Sequence, residues 1–167
     1  MTTTPQKIAD GVYFLRLGSQ RVQLNCVDTE DMWRTVCNIK ERDQAKIAEV
    51  DSSIISQAKE HCTDWFGKQL SDEFLENVYD SSLNDSGNLP VNLARASDGK
   101  ILTRFFDESK TLCEGELSGP YDVIVELHGI QFIRKGYSPV WRILQVRERP
   151  KPKPEVPDQY MFQDDEE

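Results

Sequence analysis

The chain has 167 residues, 38% of them hydrophobic and 29% charged, with a formal net charge of −9; that length suits one domain with a real core. No apolar run nears the ~18 residues of a membrane span, and MTTTPQKIADG at the start lacks the apolar centre of a signal peptide, so an intracellular protein without a membrane partner is expected. Cys26, Cys37, Cys62 and Cys113 are scattered, which argues against a disulfide framework and a CxxC zinc site; no cofactor and no metal are expected.

Residues 1–10 read as a short polar arm. Residues 11–17, GVYFLRL, read as a strand, Gly18-Ser19-Gln20 as a turn, and residues 21–27 as a second strand. There Val22, Leu24 and Cys26 alternate against Arg21, Gln23 and Asn25, the pattern of a hairpin with one wet face. Residues 28–42 show no clear period; MWRTVCNIK is compatible with a third strand.

Residues 43–68 are the clearest helix. Ile47, Val50, Ile54, Ala58, Cys62 and Trp65 recur at spacings of three and four and draw one apolar stripe. Asp43 fits an N-cap and Gly67 a stop. Residues 71–79 form a second, shorter helix capped by Ser71, with Asp72 and Glu73 in its first turn and Phe74, Leu75 and Val78 facing inward. Residues 80–90 are a loop. Residues 91–96 are a short strand, Ser97-Asp98-Gly99 a turn, and residues 100–107, KILTRFFD, the partner strand. Residues 112–120 connect to the strongest pattern in the chain.

That pattern is residues 121–149, YDVIVELHGIQFIRKGYSPVWRILQVRER, read as two long strands with Gly136 and Pro139 framing the turn. The apolar phase slips at Gly129: Val123, Val125 and Leu127 precede it, Ile130 and Phe132 follow it. A glycine at such a slip suits a bulged, bent strand that serves two parts of a curled sheet. Strands, a helical insertion over residues 43–80 and strands again give a mainly β fold, an OB-like Greek-key barrel of five to six strands within residues 1–149. A mixed α+β sandwich is the alternative. Residues 150–167 form a separate proline-rich, then acidic, tail.

The far half of the hairpin interleaves Arg134, Lys135, Arg142, Arg147 and Arg149 with Phe132, Tyr137 and Trp141. Rings that stack bases beside cations that hold phosphates make a single-stranded nucleic-acid platform. Arg16, Lys100, Arg104 and one of Phe105 and Phe106 join it, with Arg104 and Phe106 sharing a face; Trp33 and Arg34 extend it. Residues 121–149 carry five basic and three acidic residues, a locally positive island in an acidic chain. Trp141 and Phe132 read equally well as core residues, and the cations as a solvated face paired with carboxylates. Among enzymes, no Walker loop, GxSxG or HExxH is present. Asp107-Glu108 with Glu114 and Glu116 is the only carboxylate group that suggests metal-assisted nuclease chemistry.

The stretch HGIQFIRKGYSPVWRILQVRERP, with GI-x-F, a basic turn and W-x-h-x-Q-V, resembles the last hairpin of OB-fold single-stranded DNA-binding proteins of large DNA viruses, distantly similar to the podophage single-stranded DNA-binding protein. The likeness is specific over residues 129–150 and architectural elsewhere. It implies a non-enzymatic viral protein that coats exposed strands without sequence preference in DNA replication, recombination and repair. It also implies that the tail residues Met161, Phe162, Asp164, Asp165, Glu166 and Glu167 cover the binding face when DNA is absent and recruit replication proteins; a homodimer is compatible. By position, Phe132 and Trp141 match the motif aromatics, Arg134 and Lys135 the basic end of the first strand, and Gln145 the motif glutamine. Phe162 departs from the pattern, since it is not the terminal residue. The alternative function is a β-barrel adaptor whose proline-rich tail is read by another protein.

Overall fold

A computed structural model describes residues 4–113, 117 and 119–149. The tail residues Met161, Phe162, Asp164, Asp165, Glu166 and Glu167 lie outside the described residues, as do Glu114 and Glu116. In chain order the elements are β1 (Gln6–Ala9), β2 (Val12–Glu30), β3 (Thr35–Cys37), α1 (Glu41–Glu60), α2 (Cys62–Phe66), α3 (Asp72–Asn77), β4 (Leu89–Pro90), β5 (Asn92–Leu93), β6 (Arg104–Phe106), β7 (Leu112–Cys113), β8 (Tyr121–Ile133) and β9 (Gly136–Glu148). The fold is mainly β with a helical insertion. One open mixed sheet runs β4-β3-β2-β8-β9-β6-β7, with β1 on β2 and β5 on β9. β5 and β6 run parallel to β9; the other pairs are antiparallel. No helix is long and apolar enough to cross a membrane among the described residues.

The hairpin expected over residues 11–27 is corrected: β2 is one continuous strand of 19 residues. Both of its halves pair with β8, and the expected turn is a bulge. Arg16 opposes Gly129 and Gln20 opposes Leu127, so residues 17–19 face His128 alone. A long partner strand supplies hydrogen bonds to both halves, so the chain bends through Gly18 without reversing. The phase slip at Gly129 is real, with a register shift between Leu127 and Gly129 in the β8–β9 pairing. A Cβ on Gly129 would sit 2.3 Å from the Leu15 carbonyl oxygen, so only glycine fits the bend. The final turn is also corrected: it consists of Arg134 and Lys135, while Gly136 and Pro139 belong to β9.

The helical stripe is as the spacing predicts. Ile47, Ile54, Ala58, Cys62 and Trp65 are buried, and Gly67 ends α2 in the left-handed region at φ 75°. Three details differ. Lys40 is the N-cap of α1; Asp43 sits one turn in, buried, 3.7 Å from the Lys46 ammonium. The helix breaks at His61 (φ −108°, ψ 27°). Phe74 is exposed while Leu75 is buried, because the short α3 offers the body only one face. Ser71 does cap it, accepting from the Phe74 N–H at 3.2 Å. Residues 91–107 form only the inner part of the expected hairpin: around the turn at 97–99 the Ala96 N–H donates to the Lys100 carbonyl at 2.8 Å and the Leu102 N–H to the Ala94 carbonyl at 2.6 Å, with Arg95 bridged to Ile101. Farther from the turn the two arms part, and β5 and β6 pair with β9, whose long edge offers more partners.

Candidate nucleic-acid interface

The hairpin's rings point inward, which corrects the outward face expected for Tyr137 and gives Trp141 and Phe132 the core place that the sequence left open beside base stacking. Tyr137 and Trp141 are each 2% exposed, and Phe132 is buried beside them. Trp141 Nε1 donates to Ser82 Oγ at 2.8 Å, and that serine in turn bonds Asp51 of α1 at 2.7 Å. The Tyr137 hydroxyl donates to the Leu75 carbonyl at 2.9 Å. Burial is the main cause that pushes its pKa up to about 12, with Cys62 and Glu76 adding to it. Phe132, Phe66 and Tyr79 surround the Tyr137 ring at centroid distances of 6.0, 5.3 and 5.0 Å. These aromatics fasten the helical insertion to the sheet. They satisfy their polar atoms inside the protein, as buried tyrosine and tryptophan do.

The neighbouring arginines are neutralised. On the opposing strand, Asp122 faces Arg147 and Glu126 faces Arg142 in direct register. Arg147 Nε and Arg149 Nη1 each lie 2.7 Å from an Asp122 oxygen. Arg142 Nη2 lies 2.7 Å and Arg21 Nε 3.1 Å from Glu126. Burial alone would raise the Asp122 pKa, but the hydrogen bonds from Arg149, the Cys26 N–H and Arg147 outweigh it and hold the carboxyl below its ordinary value. Glu126 is lowered likewise: burial opposes, and Arg142 and Arg21 prevail. The sequence reading of Arg142 and Arg147 as free phosphate ligands is therefore corrected, because each is held by a buried carboxylate.

The remaining predicted residues are dispersed. Arg16 is exposed on β2 opposite Gly129. Arg104 is exposed on β6, with Phe106 on the same face and Phe105 turned into the core, so the pairing of Arg104 with Phe106 holds. Phe106 lies with Arg147, Gln145 and Asp122 around a shallow hollow of about 230 Å³. Arg134 and Lys135 form the exposed tip of the final hairpin. Lys100 is exposed beside Ile101. Asp107 caps its own turn, accepting from the Ser109 and Thr111 N–H groups at 2.9 and 3.0 Å, and no cluster fit for a metal ion occurs among the described residues.

One groove of about 650 Å³ does combine rings and cations. Met32, Trp33 and Arg34, from the loop between β2 and β3, form one wall. Asn92 and Leu93 of β5, with Arg95 and Ile101 beyond it, form the other, and Phe105 lies at the floor. The Trp33 ring, half-buried, stands 5.1 Å from Phe105 and 5.0 Å from Tyr121. Asp31, Met32 and Trp33 all adopt left-handed φ values of 55°, 55° and 71°. Such residues each cost about 1–3 kcal/mol and persist only where their surroundings fix them. Here the Arg34 N–H bonds the Glu30 carbonyl at 3.1 Å, and the Arg34 carbonyl accepts from Val91 at 2.8 Å. The far wall is pinned by Thr103, whose Oγ1 donates to the Ile143 carbonyl at 2.6 Å and accepts from the Ala94 N–H at 2.8 Å.

The result is a fixed platform with Met32 held 89% exposed at its lip. No carboxylate lines the groove among the described residues, although Glu30 and Asp31 immediately precede Met32 in the chain. Arg34 has no ion pair among the described residues, and Arg95 spends one N–H on the Gly99 carbonyl at 3.1 Å. Within residues 92–101 the sequence points to Lys100 alone as a binding residue; Asn92, Leu93, Arg95 and Ile101 are missed, and the signal they offer is Arg95 placed three residues before an Asp-Gly turn. Residues 20–164 match the profile of a family of unknown function (DUF5871). No curated protein and no solved structure matches the chain.

Proposed function

We propose, from the premise that the chain belongs to the DUF5871 family and takes no activity from that description, that it is a non-enzymatic single-stranded DNA-binding protein. The strand lies in the groove between Trp33 and Arg95. The observation that carries this reading is the half-buried Trp33 ring, fixed against Phe105 and Tyr121 beside two arginines, with no carboxylate among the described lining residues. A base stacked on Trp33 contributes about 1–3 kcal/mol. Arg34, Arg95 and Lys100 hold phosphates, and Met32 and Ile101 give apolar contact to sugars and bases.

An OB-like barrel is the architecture this reading adopts. Its support is that β4 and β5 are separated only by Val91, so the segment Leu89 to Leu93 pairs with β3 at one end and β9 at the other. The sheet itself is open, with β4 at one end of the order and β5 on β9, but through that segment a path runs along the chain from β2 and β3 to β9 and β8. In OB barrels the face of the second and third strands and the loop between the first and second bind oligonucleotides. Counted along this path, the first loop is residues 31–34 and the third strand is Leu89 to Leu93, and of these Met32, Trp33, Arg34, Asn92 and Leu93 line the groove.

Anisotropy of a labelled oligo-dT against a duplex of the same length, over a salt series, tests the proposal. Tighter binding of the single strand, weakening as salt rises, is the expected result. Equal affinity for both, or none at low salt, overturns it.

A further inference from the structure

A second groove, of about 530 Å³, lies at the other end of β9, where the helices meet the tip of the final hairpin. Its walls include Phe66 of α2, the exposed ring of Phe74 of α3 and the exposed Ile133. Lys68, Arg134 and Lys135 stand around it, all exposed and without an ion pair among the described residues; Asp64 is the one carboxylate among the described lining residues. At its base Trp65 is 7% exposed, and its Nε1 is the one buried side-chain polar atom without a hydrogen-bond partner among the described residues. A buried indole N–H left unpaired costs about 1–3 kcal/mol. Cations at a rim and apolar walls between them suit an occupant with a large apolar anchor and negative charge.

The chain contains such a segment. Tyr160, Met161 and Phe162 are followed within two residues by Asp164, Asp165, Glu166 and Glu167. Reach permits the contact. The thirteen residues of β9 rise about 43 Å from the groove to Glu148. The fourteen residues from Glu148 to Phe162 span up to about 46–50 Å. We propose that residues 160–167 dock in this groove of their own chain, Phe162 between Phe66 and Phe74 and the carboxylates against Lys68, Arg134 and Lys135. The tail then sits at the opposite end of β9 from the Trp33 groove, not over the nucleic-acid face. A partner with a basic, apolar pocket competes for it there. The proposal stands apart from the nucleic-acid reading, since it uses none of the same residues.

Hydrogen–deuterium exchange on the full chain tests it. Docking slows exchange of residues 158–167 by about tenfold, the protection a roughly 90% docked population gives, and also protects residues 64–70 and 132–136. Lys68→Glu with Lys135→Glu, or Phe162→Ala alone, abolishes both protections. Adding Asp164→Lys and Asp165→Lys to the lysine variant restores part of the first. Trp33→Ala leaves the tail's protection unchanged, whatever it does to oligonucleotide binding. Exchange of residues 158–167 at the rate of a free peptide overturns the proposal. So does protection shared with residues 31–34, or protection that grows with protein concentration and so belongs to a second copy.

Discussion

The final hairpin and the Trp33 groove have the same ingredients, a tryptophan followed directly by an arginine, and opposite uses for them. In the hairpin, Trp141 is enclosed and its N–H is spent on Ser82, while Arg142 and Arg147 close on buried Glu126 and Asp122. In the groove, Trp33 stands at the surface of an aromatic stack and Arg34 meets no carboxylate among the described residues. The difference lies in what opposes each residue. A regular strand puts every second side chain inward, and β8 places an acid directly across from Arg142 and from Arg147. A tight loop of left-handed residues has no opposing strand, so its cation remains available to a ligand. Aromatic-plus-basic composition marks a binding surface only where no partner strand already answers the charge.

The contrast can be broken at several points. Trp141→Ala produces the largest effect, a loss of about 3–5 kcal/mol of stability in urea denaturation, because it empties a core site and strands Ser82; oligonucleotide affinity falls only with the folded fraction. A variant that stayed fully stable yet lost binding would reverse the assignment of the two regions. Glu126→Gln costs about 1–3 kcal/mol by weakening two arginine contacts, discounted because Arg21 is largely exposed. The same carboxylates set the acid limb. Both have folded pKa values below their ordinary ones, so their stabilisation is complete above the usual carboxylate range. It is lost as pH falls through the lowered folded values. Melting temperature should therefore drop on acidification below about pH 4.5, and less steeply in Glu126→Gln. A slope unchanged by that substitution would remove Glu126 from the account.

Smaller effects sharpen the groove side. Trp33→Ala should weaken oligo-dT binding by about 1–3 kcal/mol, some 5- to 150-fold, measured by anisotropy at fixed salt with folding checked by circular dichroism. Arg34→Gln is the mildest. It should lower the slope of log affinity against log salt by about 0.7, one single-strand phosphate contact, with stability within about 0.5 kcal/mol of the parent. The same substitutions at Arg142 or Arg147 should leave the slope alone.

Periodic stretches were legible in the sequence, and places where two segments compete for one partner were not. The stripe from Ile47 to Trp65 and the two strands of the final hairpin follow directly from spacing, and Gly129 announced its bend. Gly18-Ser19-Gln20 misled because turn chemistry also serves a bulge when a long strand lies alongside. The parallel pairing of β5 and β6 with β9 depends on contacts about 40–50 residues apart in the chain, which local pattern does not encode. For the site, alternation alone left Trp141 open between core and surface; only the register that sets Glu126 against Arg142 decides it. Arg95 and Asn92 carry no periodic signal, and they join Trp33 only because Val91 ties their strand to the Arg34 carbonyl.

The central claim is that the binding face is the Trp33 groove and not the final hairpin. Photocrosslinking of the full chain to an oligonucleotide containing 5-bromodeoxyuridine, with the adducts mapped by mass spectrometry, addresses it most directly. The account predicts adducts on Trp33, with Met32 as the neighbouring site, and their loss in Trp33→Ala. Adducts on Tyr137 or Trp141, with residues 31–34 unmodified, would contradict it.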